Sequence, residues 1–237
     1  MLKKIICAFI GLSGCAAAAF ANNLYYMDTP TTGILNYGSY DVSFRFYSGG
    51  SVMTRLDFGV FKFMNLGVAW ELGDFIGNKN TTLAIPALSI KIRLYEGNMI
   101  WPSVAIGYDG QGYFFDRDYD GDYMQRGKGA YLVIGRELFV ENLNFNLGVN
   151  INDFADSGVH AFVSAIIPAP FAQDALFFMA EYDNIGYFPD ARLNLGLRLS
   201  LTEAVDIDFM VRDCWGKDSN DKIPNERVFK VSYSGKF

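Results

Sequence analysis

Apolar and polar positions alternate with period two from residue 38 to the end of the chain, and helical periodicity is almost absent. In 143–151, Leu143, Phe145, Leu147, Val149 and Ile151 share one side, with Asn144, Asn146, Gly148 and Asn150 on the other. The run 192–199 sets Leu193, Leu195, Leu197 and Leu199 against Arg192, Asn194, Gly196 and Arg198. Successive side chains of a strand point to opposite faces, so each run predicts a strand with one greasy and one hydrophilic side. About twelve strands are predicted, near 38–47, 51–60, 66–72, 86–95, 102–109, 128–137, 143–151, 158–167, 175–182, 191–200, 204–212 and 227–237. The two sides of 128–137 and 158–167 are less sharply divided.

The links alternate in length. Short ones at 61–65, 96–100, 137–142 and 201–204 are interleaved with longer polar ones at 73–85, 110–127, 183–190 and 213–226. The 47–51 turn is a short exception and 152–157 is modest. Short turns on one rim and long loops on the other predict an all-β fold, a transmembrane antiparallel up-and-down β-barrel. A soluble β-sandwich or lipocalin-like barrel would also alternate, but its outer face would be rich in Lys and Glu. Here the polar side is Gly, Asn, Ser and paired charges, and aromatics gather at strand ends (Tyr37, Tyr40, Phe46, Tyr47, Trp70, Trp101, Tyr108, Tyr182 and Tyr187). Such aromatics are expected at the two edges of a bilayer.

The last run, Phe229, Val231, Tyr233 and Phe237 against Lys230, Ser232, Ser234 and Lys236, is expected to close the cylinder against the first strand. Its terminal Phe resembles the signal by which bacterial barrel-assembly machinery recognises its substrates. Lipid is then the partner of the greasy side. The polar side predicts a lumen lined by Arg45, Arg55, Lys91, Arg93, Arg192, Arg198 and Arg212 against Asp41, Asp57, Glu71, Glu181, Asp206 and Asp208. A nearly neutral set of this kind suits either a water-filled channel or a charge-paired, filled interior.

Composition narrows the class further. A chain of 237 residues, 51% hydrophobic and 16% aromatic, suits one domain. Net charge −6 with no basic run argues against nucleic acid. Residues 1–21 read as a secretory signal, with Lys3 and Lys4 before an apolar core and an A-x-A site at Ala19–Ala21, leaving a barrel domain of 22–237. A lipoprotein box ending at Cys15 is the competing cleavage. After either cleavage there is no disulfide framework, and beyond residue 21 no apolar run reaches 18 residues.

Candidate chemistry is sparse. Asp116, Asp118, Asp120 and Asp122 around Gly121 resemble the start of a Ca2+ loop, but position twelve is Gly127 rather than Glu, so an EF-hand is excluded and a looser Ca2+ site or a solvated acidic tip is left. His160 is the sole histidine, and Ser164 lies four residues along the same strand, about 13 Å away. A nucleophile and its base need mutual reach, so a barrel enzyme acting on lipid or saccharide is the weaker alternative. The glycines of 105–113 lack a following helix and a Lys, which excludes a phosphate loop.

The stretches "SYDVSFRFYSGGSVMTRLDFGVFKFMNLGVAWELGDFIG", "AIGYDGQGY", "GAYLVIGRE" and "AEYDN" resemble the YjbH-type outer-membrane proteins. The resemblance implies a short, single-barrel form in the bacterial outer membrane, associated with exopolysaccharide gene clusters. It transfers no catalytic residue and no cofactor. The expectation is a non-enzymatic channel or accessory in envelope polysaccharide secretion, whose partners are polysaccharide or secretion-complex proteins.

Overall fold

The computed structural model describes residues 23–237 except 79, 117–121, 126, 139–142, 153–157, 173–174, 187–190 and 217–224. The signal segment 1–21 therefore lies outside the described residues. The chain forms β1 (Ser39–Tyr47), β2 (Ser51–Phe61), β3 (Met64–Gly73), the two-residue β4 (Thr82–Leu83), β5 (Ala87–Tyr95) and β6 (Ser103–Asp109). A hairpin of β7 (Tyr113–Asp116) and β8 (Asp122–Gln125) follows, then β9 (Gly129–Leu138), β10 (Leu143–Ile151), β11 (His160–Pro168), β12 (Leu176–Ile185), β13 (Arg192–Thr202), β14 (Val205–Arg212) and β15 (Glu226–Lys236).

Twelve long strands pair antiparallel with their neighbours, and β1 pairs with β15 through Val42↔Tyr233 and Phe44↔Val231, which closes the cylinder. Closure removes the two sheet edges that hydrocarbon would leave unpaired. β4 caps one end of β3, and β7–β8 is a separate two-stranded sheet. Each long strand matches a predicted run, its bounds differing by up to three residues. Of the two less divided runs, β9 turns Tyr131 and Val133 inward, and β11 turns Phe162, Ser164 and Ile166 inward.

One rim, here the near rim, carries Gly38, Phe237 and the β2–β3 and β13–β14 turns; the far rim carries the short β1–β2 turn and the three longest links, 74–86, 110–128 and 213–225. The near-rim β13–β14 turn is built locally, because Thr202 Oγ1 accepts the N–H groups of Ala204 and Val205. At the far rim the β1–β2 turn needs Gly50, which has φ 69° and whose Cβ would fall 2.0 Å from the Ile76 carbonyl oxygen. Within the wall, Gly148 pairs with Phe162, and the ring lies where a Cβ would sit, 2.2 Å from Cζ.

The exterior is greasy. Phe178, Leu197 and Phe209 are successive cross-strand partners on β12, β13 and β14, and all three are exposed. A soluble protein would not leave such a row in water, so the closed all-β cylinder is that of an outer-membrane protein, with lipid against its Leu and Phe rows. Phe229, Tyr233 and Phe237 are exposed, Val231 is half-buried, and Tyr40 stacks on Phe237 at the near rim. Tyr47 departs from the expected girdle: it faces inward, because Tyr113 and Phe114 of the β7–β8 hairpin meet its ring edge-on. Tyr187 lies outside the described residues. Leu197→Arg is expected to destabilise the barrel by about 2–4 kcal/mol, the cost of a cation on the lipid face. Urea unfolding in lipid vesicles measures it, and an unchanged midpoint would place Leu197 away from hydrocarbon.

Candidate functional site

The lumen is occupied by two pieces of the chain itself. Residues 23–37 form a hairpin-like plug outside the barrel sheet, pinned by a Tyr25↔Pro30 bridge and a Thr31 N–H to Leu24 carbonyl bond of 3.0 Å. Pro30 and the lack of alternation keep this stretch from adding a strand to the wall. Its tip, Met27–Thr29, sits on Glu181 of β12, whose carboxylate accepts the N–H groups of Met27, Asp28 and Thr29 and the Thr29 hydroxyl at 2.7–3.2 Å. The second piece is the β7–β8 hairpin, folded in from the far rim and held by Glu71, which accepts the Phe115 N–H at 3.2 Å.

Asp28 joins the two pieces to the wall. Arg45 Nη1 donates to its Oδ1 at 2.9 Å, Tyr113 OH donates to the same oxygen at 2.9 Å, and Arg212 Nε donates to Oδ2 at 2.6 Å. Burial by itself would raise the Asp28 carboxyl, but the Arg212 and Arg45 guanidinia hold it well below the usual carboxylate range. A depressed folded value means that its contribution is complete above the ordinary carboxylate pKa and is lost only as pH falls through the depressed value. Asp28 is therefore ionised throughout the neutral range.

Arg212 also donates to Glu226 Oε2 at 2.7 Å and to Gln125 Oε1 at 2.9 Å, an oxygen that Arg192 shares at 2.9 Å. Arg55 reaches both oxygens of Asp109 at 2.9–3.0 Å and lies 4.4 Å over the Tyr25 ring, a stacked cation on the plug. Lys91 Nζ donates to the Leu24 carbonyl at 2.6 Å. An arc of charge crosses four adjacent strands of the wall: Arg198, Asp208, Lys230 and Arg45 are successive cross-strand partners on β13, β14, β15 and β1. Arg198 grips Asp208 with two bonds of 2.7 and 2.9 Å and reaches Asn23 of the plug at 2.7 Å.

A cavity of about 420 Å³ lies between plug and wall, lined from Ser234 and Lys236 at the near rim to Lys128 and Asp183 toward the far rim. Arg45, Arg55, Asp57, Arg192, Arg198, Asp206 and Arg212 border it, as does Asp41. Glu71, Lys91, Glu181 and Asp208 are buried away from it, each against a partner already described. Arg93 lies at the near rim, paired with the exposed Glu96 at 3.3 Å, because β5 carries it past the plug. Asp28, Asp109, Lys128, Asp183 and Glu226 belong to the same charged interior and were not foreseen. Asp183 continues the period-two row of Glu181, which would have revealed it, whereas Asp28 sits in a stretch without periodicity.

The interior is also partly greasy. Tyr26 and Met27 of the plug pack with Met53, Ile166, Phe177, Met179 and Met210 of the wall. Expecting only hydrophilic groups inside was therefore incomplete; a plug gives inward apolar side chains something to bury against. Asp116 and Asp122 are backbone partners in the β7–β8 hairpin, while Asp118 and Asp120 lie outside the described residues. No group of three or more potential metal ligands occurs among the described residues. His160 and Ser164 are separated on β11 by the inward Phe162, out of mutual reach.

No family model and no curated protein matches the chain. Among solved structures it is similar to a KdgM porin, with TM-score 0.46, 10% identity, and 84% of this chain and 99% of that chain covered. A KdgM porin in complex with disordered oligogalacturonate gives 0.48 and 11%, and a NanC porin 0.43 and 11%, both over 84% of this chain and 99% of theirs. At these values the likeness is to barrel architecture alone.

Proposed function

We propose that the chain is a non-enzymatic outer-membrane channel for small acidic solutes, held in a plugged resting state. The observation that carries the reading is the charged cavity whose lining reaches from one rim to the other beside a plug that is not part of the sheet. The plug fills part of the lumen without belonging to the barrel sheet, so its displacement would widen the passage for a saccharide. The guanidinia of Arg45, Arg55, Arg192 and Arg212 on the wall support a preference for carboxylates, which match the guanidinium fork. The resemblance of residues 35–165 to YjbH-type proteins supports a place in envelope exopolysaccharide export, with the secreted polymer or its secretion complex as partner.

Planar-bilayer recording tests the reading. The refolded chain is expected to show small steps, and a chain lacking residues 23–36 steps several-fold larger with anion preference. A well-folded barrel that stays silent without its plug would overturn it.

A further inference from the structure

Three donors converge on the Asp28 carboxylate, from Arg45, Arg212 and Tyr113, and all three side chains also border the lumen cavity. We infer that Arg45, Arg212 and Tyr113 form a carboxylate-binding site for an acidic solute, and that Asp28 occupies it as a built-in surrogate which the solute displaces. The inference builds on the channel reading, naming what releases the plug.

The geometry favours exchange over a purely structural contact. Asp28 belongs to a segment outside the barrel sheet, so its departure breaks no bond of the barrel ladder. The Tyr113 ring lies 5.2 Å from the Arg45 guanidinium and 4.1 Å from that of Arg212, which fixes both cations facing the same point. Arg45 and Arg212 are buried and both grip Asp28, with Arg192 and Lys128 facing the same carboxylate and Glu181 beside it. Withdrawing Asp28 removes the anion that both guanidinia share, and a buried cation left short of its anion favours binding another. The site also holds unused capacity: among the described residues, the buried Nε atoms of Arg45 and Arg192 meet no hydrogen-bond partner. A free carboxylate with a neighbouring hydroxyl, as in a uronic acid, can satisfy more of these donors than the tethered Asp28 does.

The test reads the plug directly. A cysteine replaces Met27, which is 3% exposed at the plug tip, in a Cys214→Ser background. Its reaction with a membrane-impermeant maleimide is then timed in reconstituted vesicles. D-Glucuronate is expected to speed labelling about tenfold, the weight of one charged hydrogen bond, and D-glucose to leave it unchanged. Adding Asp28→Asn should give fast labelling that glucuronate no longer alters. Labelling insensitive to both glucuronate and Asp28→Asn, or sped equally by glucose, would overturn the inference, with folding of each variant checked by heat-dependent gel mobility. Conductance recorded in parallel separates the two readings. A silent barrel with responsive labelling sinks the channel and keeps the site; a conducting barrel with unresponsive labelling does the reverse.

Discussion

Glu181→Ala will free the plug and turn the small resting conductance into large, sustained steps. Glu181 is 1% exposed and satisfies three backbone N–H groups and one hydroxyl of Met27–Thr29. An alanine methyl accepts none of these, and water enters a site this enclosed only if the plug lifts. Each orphaned buried donor costs about 1–3 kcal/mol, so the loss is several kcal/mol even if the effects are far from additive. The tip keeps the Asp28 contacts, the Arg45 bond to the Met27 carbonyl at 3.0 Å and the packing of Tyr26 and Met27 against wall methionines. The wall should survive, since Glu181 keeps its backbone partners Ser164 and Asn194. Glu181→Gln retains one accepting oxygen and should fall between. Single-channel recording of heat-modifiable, folded barrels is the measurement. Resting-size steps in Glu181→Ala would mean that the plug is held by other contacts.

The second large effect concerns the wall itself. Arg198→Ala is expected to lower barrel stability by about 3–5 kcal/mol, because it strands a buried carboxylate rather than removing a surface pair. Asp208 has no exposed surface and draws two bonds from Arg198 and one contact of 3.3 Å from Lys230. Lys230 alone cannot replace the lost fork, since an ammonium is a point charge without bidentate geometry. Replacing all three members, Arg198→Leu and Asp208→Leu with Lys230→Met, should recover most of the loss, as removing a buried charged group whole is often close to neutral. Urea unfolding in vesicles compares the three proteins. A single variant as stable as the parent would show that water reaches Asp208 and screens it.

Two lesser features of the wall follow the same division between local and distant causes. The Thr202 hydroxyl that shapes the β13–β14 turn acts on residues two and three positions away, and a turn signal of that kind is visible in a linear sequence. The ring over Gly148 comes from Phe162, fourteen positions on, and depends on the register of β10 against β11. Alternation alone left the sides of 128–137 and 158–167 unclear, since Tyr131, Val133, Phe162 and Ile166 are apolar and yet point inward.

The sequence by itself determined most of the wall: how many long strands there are, roughly where they turn, and, outside 128–137 and 158–167, which side meets lipid. That follows because strand periodicity is a local property, and a row such as Leu195, Leu197 and Leu199 has one favourable environment regardless of its neighbours. It also placed Arg45, Arg198, Asp208 and Arg212 on the hydrophilic side. Only the tertiary structure decided what those groups meet. Asp28 reaches Arg212 across 184 positions and Glu181 holds the N–H of Met27 across 154, contacts that no local period encodes. The plug stretch has neither strand nor helix rhythm, so its place depends on the cylinder around it, whose inward charges and methionines it partners.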